Sequence, residues 1–149
     1  MVDEIFTLSE KENCQIIYPE DVAIGNSFSD SKKIKQLDNV SENDIILDIG
    51  PKTIKKIIKI IQESKTVLWN GPAGYFENIN FANGSQEIAK QIAEDSKNGK
   101  LFSVVGGGDT ISVINKIKMF NNYNFVSTAG GAFLEYLEGK DLPGIKALN

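Results

Sequence analysis

Leu101-Phe102-Ser103-Val104-Val105-Gly106-Gly107-Gly108-Asp109-Thr110 is a short apolar run, three consecutive glycines, then an acid and a hydroxyl. Ile111-Ser112-Val113-Ile114-Asn115-Lys116-Ile117 follows. The order predicts a buried strand, a tight turn and the first turn of a helix. Three glycines in a row make a poor helix or strand interior, because each loses much backbone entropy on folding. They suit a place where the backbone passes close to another group. A helix start leaves free N–H groups aimed out of its end, and successive amides in a turn form a concave anion trap. The stretch reads either as a phosphate loop or as a turn that only lets the helix pack on its sheet. It is neither GxGxxG nor GxxxxGKS/T, and alone it does not choose between these.

The same rhythm extends on both sides. Upstream, Ile45-Ile46-Leu47-Asp48-Ile49 reads as a strand, punctuated by Gly50-Pro51. Residues 52–62 then carry Ile54, Ile57, Ile58 and Ile61 at helical spacing, with Pro51 at a start where its missing N–H is no loss. Thr66-Val67-Leu68-Trp69 is the next strand, ending in Asn70-Gly71-Pro72-Ala73-Gly74. A helix is predicted from about residue 83 to 96, with Asn83 and Gln86 as a capping box. Downstream, Phe125-Val126-Ser127-Thr128 reads as a strand ending at Gly130-Gly131. A last helix over 132–138 is stopped by Gly139.

Four strand–helix pairs in succession predict an α/β fold, a three-layer α/β/α arrangement with a mostly parallel, Rossmann-like sheet. Right-handed crossovers would bring all four strand C-termini to one rim, where open α/β sheets bind ligands. Four glycine-bearing turns on one rim favour the phosphate reading of each.

The leading region is less regular. Residues 2–11 carry a weak amphipathic pattern, and residues 14–18 are a strand candidate stopped by Pro19. Val22-Ala23-Ile24 is a second short apolar piece, and residues 26–44 read as hairpin or loop. The 149 residues are one domain's worth of material, with residues 1–44 leading and residues 45–149 built of repeated strand–helix units. With 16 basic and 20 acidic residues there is no basic stripe, so no nucleic-acid partner is expected. The absence of histidine removes Ser–His and Cys–His catalysis and histidine zinc ligands together. The lone Cys14, in an apolar run, reads as a small buried residue, and one cysteine leaves no intrachain disulfide. No apolar run reaches the length of a membrane span, and a cytoplasmic protein is expected.

Asp109 is the best metal candidate, since Mg²⁺ takes hard oxygen ligands and bridges phosphates through one or two carboxylates. A cap and dipole partner is the alternative. Thr110 either donates to a phosphate or occupies the first helical turn. Asn70 either orients a phosphoryl oxygen or satisfies its turn, and Glu77 either accepts from ribose hydroxyls or is an exposed loop acid. Asp48 is read as bracing the Gly50-Pro51 turn. Phosphoryl transfer suits this inventory because it needs positioning, a metal and donors rather than a histidine base. No lysine or arginine belongs to the glycine loops, so positive charge would have to come from elsewhere.

At Trp69-Asn70-Gly71-Pro72-Ala73-Gly74-Tyr75-Phe76-Glu77 the sequence resembles phosphoglycerate kinase. Four more segments agree in order: Leu47 to Thr53, Val105 to Thr110, Ser127 to Ala132, and Leu134 to Gly144. The resemblance implies reversible phosphoryl transfer between 1,3-bisphosphoglycerate and ADP, giving 3-phosphoglycerate and ATP in glycolysis, with ATP/ADP and Mg²⁺ as cofactors. It places Asn70 near the nucleotide phosphates, Glu77 on the ribose, and Asp109 on Mg²⁺. Thr110, Gly106, Gly107 and Gly108 fall at the phosphates, and the amides of Gly130 and Gly131 at the transferring group. Where the family usually has a third glycine, this chain has Ala129, which would strain a positive-φ turn. The likeness is to the C-terminal part of the nucleotide-binding domain, without the N-terminal domain or the start of the C-terminal domain. It implies a nucleotide partner, phosphoglycerate only with the missing domain, and little activity alone. The alternative is a truncated domain acting only in nucleotide binding or in self-association through an open sheet edge.

Overall fold

The computed structural model describes residues 1–25 and 32–148. In chain order the elements are α1 (Val2–Lys11), β1 (Asp21–Gly25), β2 (Lys33–Gln36), β3 (Ile45–Ile49), α2 (Pro51–Glu63) and β4 (Thr66–Asn70). There follow α3 (Asn83–Lys97), β5 (Phe102–Gly106), α4 (Gly108–Lys116), β6 (Phe125–Ser127), α5 (Gly131–Leu137) and α6 (Pro143–Lys146). Parallel and antiparallel sheets flanked by helices give the three-layer α/β/α arrangement that the strand–helix rhythm predicts.

The parallel sheet is β4-β5-β6, in register Asn70 with Gly106 and Gly106 with Ser127 at its C-terminal edge. Parallel neighbours need crossover helices, and α3 and α4 are those crossovers. Their apolar stripes bury Ile88, Ile92, Val113 and Ile114 against Trp69 and Val105, and Tyr123 closes the cluster. The Tyr123 hydroxyl donates to the Ala89 carbonyl at 2.8 Å, so its polar end is satisfied inside the core. On the opposite sheet face Leu68, Phe102 and Phe125 remain about half exposed.

Ile45–Ile49 does not join that sheet. It pairs antiparallel with β1, which pairs antiparallel with β2 on its other side, giving a second sheet in the order β2-β1-β3. An apolar run followed by a helix looks the same in either setting, because the choice depends on which strand lies alongside. The four-strand rim predicted from the sequence is therefore a three-strand edge.

Three smaller expectations change. Residues 14–18 form no strand; a ladder needs a neighbour to satisfy its N–H and C=O groups, and none of the described strands pairs with this segment. Cys14 is exposed, because α1 before it buries no residue. Asn83 lies inside α3 rather than at its cap, which is Ala82, and makes no capping-box bond. Within 26–44, β2 supplies an antiparallel partner, while residues 26–31 lie outside the described set. Pro51 opens α2, and Gly139, at φ +78, follows the last residues of α5 as expected.

Candidate functional site: the C-terminal edge of the parallel sheet

Helix N-termini are where an α/β fold holds anions, so the first question is which of them are free. Two are already filled by carboxylates from neighbouring strands. Asp21, 1% exposed at the start of β1, receives the Lys52 N–H (3.0 Å), the Thr53 N–H (2.9 Å) and the Thr53 hydroxyl (2.8 Å) at the start of α2. Asp48, equally buried in β3, receives the Gly84 N–H at 2.9 Å at the start of α3. It thus caps α3, with α2 and β4 lying between them in the chain, instead of bracing Gly50-Pro51, which Asp21 braces by accepting the Gly50 N–H on its carbonyl at 2.7 Å.

The two carboxyls titrate in opposite directions. Burial pushes Asp21 up, but the Lys52 and Thr53 amides and the Thr53 hydroxyl together outweigh it and hold the carboxyl below its ordinary value. For Asp48 burial dominates over the Gly84 and Ile49 amides, and the carboxyl is raised.

The start of α4 is different. Its N-cap is Gly107, which has no side chain to accept the first amides, and a Cβ added at Gly108 would meet nothing within 4 Å. The three glycines therefore do three jobs. Gly106 ends β5 where a Cβ would stand 2.9 Å from Phe133 Cδ1 and 3.3 Å from Asn70 Nδ2. Gly107 adopts φ +91, which an L side chain rarely takes. Gly108 leaves the helix mouth open. Asp109 is exposed in the first turn, on the solvent side of that mouth.

Thr110 is fully buried, and its hydroxyl accepts the Gly71 N–H at 2.7 Å. It ties the turn after β4 to the first turn of α4. Asn70 ends β4 with its side chain over the glycine turn: its Oδ1 lies 3.2 Å from where a Gly107 Cβ would stand. Phe133 of α5 packs on Gly106, which brings the Gly130-Gly131 turn to the same edge. Gly130 has φ +58 and Gly131 opens α5, and a Cβ at either would meet nothing within 4 Å. Ala129 is not among the described residues at positive φ, so its methyl is not strained there.

The edge thus brings together Asn70, Gly106 to Thr110, and Gly130-Gly131, and leaves out the Asp48 to Pro51 turn. Glu77 is exposed on the long loop after β4, next to the buried Phe76. That loop is held by the Tyr75 N–H donating to the Leu47 carbonyl at 2.7 Å, and by Lys116 at the end of α4. The capping roles of Asp21 and Asp48 and the Lys116 contact left no signal in the sequence, because each joins residues at least 30 positions apart.

Among the described residues no group of three or more His, Cys, Asp or Glu could hold a metal alone. A single exposed carboxylate beside an open helix mouth fits a Mg²⁺ held mainly by bound phosphates, and does not fit a protein-only cage. No helix among the described residues is long and apolar enough to cross a membrane.

The family model described as phosphoglycerate kinase matches residues 1–140. The phosphoglycerate kinase of Orientia tsutsugamushi (strain Ikeda) is 50% identical over 139 residues, 91% of this chain and 34% of that one. That of Buchnera aphidicola subsp. Schizaphis graminum is 51% identical over 143 residues, 95% of this chain and 36% of its own. The structure of phosphoglycerate kinase from Coxiella burnetii superposes with a TM-score of 0.88 at 37% identity, covering 97% of this chain and 36% of that chain. The chain spans about a third of the length of the relatives it matches.

Proposed function

The chain belongs to the phosphoglycerate kinase family, and from that premise we propose that it forms the nucleotide-holding part of such an enzyme. The observation that carries this reading is the contrast among helix starts: α2 and α3 are stoppered by Asp21 and Asp48, while α4 starts at Gly107 with no side-chain cap bond, and a Cβ at Gly108 would meet nothing within 4 Å.

In the proposed complex, the phosphates of ADP or ATP lie at the mouth of α4, against the amides that follow Gly106 and Gly107 and along its favourable dipole. Asn70, over the glycine turn, orients a phosphoryl oxygen. Asp109 holds the nucleotide's Mg²⁺, which when bound neutralises charge on the phosphates. Thr110 acts from below by fixing Gly71 and keeping the two turns in step. Glu77 accepts from the ribose hydroxyls. Gly130 and Gly131 offer backbone amides to the transferring phosphoryl group, the kind of fixed donor that stabilises developing charge.

The reaction proposed for the whole enzyme breaks the bond from phosphorus to the carboxyl oxygen of 1,3-bisphosphoglycerate. It forms a bond to a terminal oxygen of ADP, giving 3-phosphoglycerate and ATP in cytoplasmic glycolysis. The glycine turns of this chain supply no lysine or arginine to clamp the transferring group. The 149-residue chain by itself is therefore proposed to bind nucleotide with little or no kinase turnover. Titration of ADP by calorimetry, with and without Mg²⁺, tests the reading. Binding strengthened by Mg²⁺ is expected; no binding refutes the nucleotide site, and Mg²⁺-independent binding refutes the role of Asp109. In a coupled assay, turnover near that of a full-length family member would overturn the inactivity.

A second reading, self-association, is favoured by the half-exposed Leu68, Phe102 and Phe125 on one sheet face and by the outer edges of β4 and β6. Sedimentation tests it, and a monomer at high concentration counts against it.

A further inference from the structure

The loop after β4 touches α4 twice. At the first turn of the helix, the Gly71 N–H donates to the Thr110 hydroxyl at 2.7 Å. At the last turn, Lys116 Nζ donates to the Phe76 carbonyl at 3.2 Å and sits 4.8 Å above the centroid of the Phe76 ring. Residues 71 to 76 are thus laid along the helix from its mouth to its end. Thr110 and Lys116 are six residues apart, about 9 Å at 1.5 Å per residue. Phe76 is buried, so the ring is a fixed plate under the ammonium, while Lys116 and Glu77 both face solvent.

We infer that Lys116 is a positioning residue that sets the distance between the phosphate end of the site and Glu77 by pinning Phe76 to the far end of α4. The inference rests on the nucleotide reading given above and deepens it. One rigid helix would present its open N-terminus to the phosphates and, two turns on, fix the loop acid that meets the sugar. Displacing residue 76 moves Glu77 directly, because the two share a peptide bond. A cation above an aromatic face combined with a charge-assisted bond to a carbonyl is a strong local clamp for an exposed lysine. Lys116 acts through Phe76 and touches no nucleotide itself.

The test uses the 149-residue chain carrying Lys116→Met, which keeps the length and apolar stem but loses the cation, and Lys116→Arg, which keeps the cation. Hydrogen exchange of the Phe76 and Asn78 amides is measured alongside the Val105 and Val113 amides of the core. ADP and pyrophosphate affinities are measured with Mg²⁺ present. Lys116→Met is expected to speed exchange at Phe76 and Asn78 by about five- to tenfold with the core unchanged. It is also expected to weaken ADP by a similar factor while leaving pyrophosphate unaffected, and Lys116→Arg retains both properties. A structural role alone would weaken both ligands together or speed exchange throughout. Either of those results, or unchanged exchange at Phe76 and Asn78, overturns the inference. Failure of the unsubstituted chain to bind ADP instead overturns the nucleotide reading on which it rests.

Discussion

Replacing Asp21 by alanine removes the acceptor that α2 depends on. The carboxylate is 1% exposed and receives two amides and one hydroxyl, all at 3.0 Å or less. Thr53 keeps a partner in the Asp21 carbonyl at 3.0 Å, so the hydroxyl is not orphaned. The Lys52 and Thr53 amides are, in a site that water reaches poorly. Each unsatisfied donor costs about 1–3 kcal/mol, and loss of a helix cap is by itself worth about 0.5–2 kcal/mol. These overlap, and a net loss of about 3 kcal/mol follows, a large share of the 5–15 kcal/mol typical of a domain. With a urea m-value of about 2 kcal/mol/M, the midpoint falls by about 1.5 M. Asp21→Asn keeps one acceptor but turns an NH₂ toward a second donor, and about half the loss is expected. The pH dependence gives a sharper check. The folded carboxyl lies below its ordinary value of 3.8. Its stabilisation is therefore fully present above that value and is lost as pH falls through the lower folded value. The difference between the unsubstituted chain and Asp21→Asn should be greatest at pH 7 and shrink below pH 3.8. Urea unfolding followed by circular dichroism at several pH values measures it. A loss under about 1 kcal/mol for Asp21→Ala, or a difference that stays constant down to pH 3, would refute the reasoning.

Asp48 should behave in the opposite sense. Its carboxyl is raised by burial, so its contribution is complete below the ordinary value and is lost as pH rises through the folded one. Asp48→Asn is expected to flatten that slope, and to cost less at pH 7 than Asp21→Asn, in the same unfolding experiment. Gly106→Ala forces a methyl to 2.9 Å from the Phe133 ring and 3.3 Å from Asn70 Nδ2. Overpacking of this kind costs about 1–3 kcal/mol; thermal melting should show it, together with weaker ADP binding as Asn70 is displaced. Asp109→Asn leaves an exposed polar residue in place, so melting should move little, while the gain in ADP affinity on adding Mg²⁺ disappears from the calorimetric titration.

The strand–helix alternation from residue 66 onward was legible because local pattern determines it. Each strand is an apolar run closed by glycine, and each helix shows a 3.6-residue stripe, such as Ile88, Ala89, Ile92 and Ala93 in α3. Parallel order then followed from the crossovers, and with it the meeting of Asn70, Gly106 to Thr110 and Gly130-Gly131. Pairing partners were not legible. Ile45–Ile49 has the same local signature as Phe102–Gly106, yet it lies antiparallel to β1, and nothing within five residues encodes that neighbour. Residues 14–18 carry strand chemistry without a strand to pair with. Thr110 was legible as a residue of the first helical turn, but the direction of its hydroxyl, down to Gly71, required the tertiary fold.

The carboxylates that stopper α2 and α3 are themselves enclosed by glycines. A Cβ at Gly50 would fall inside the Asp21 carboxyl, and one at Gly74 or Gly84 would fall against Asp48. At Gly50 the acid and the glycine constrain each other. The three atoms nearest a Cβ at Gly50 all belong to the Asp21 carboxyl, so shortening residue 21 first relieves that clash, at the expense of the cap. The other two glycines are constrained more widely, since a Cβ at Gly74 would also stand 2.8 Å from the Leu47 carbonyl oxygen and one at Gly84 2.6 Å from Ile49 Cγ1. A substitution scan made one site at a time would miss that Gly50 answers to Asp21. A paired library across positions 21 and 50 would reveal the epistasis.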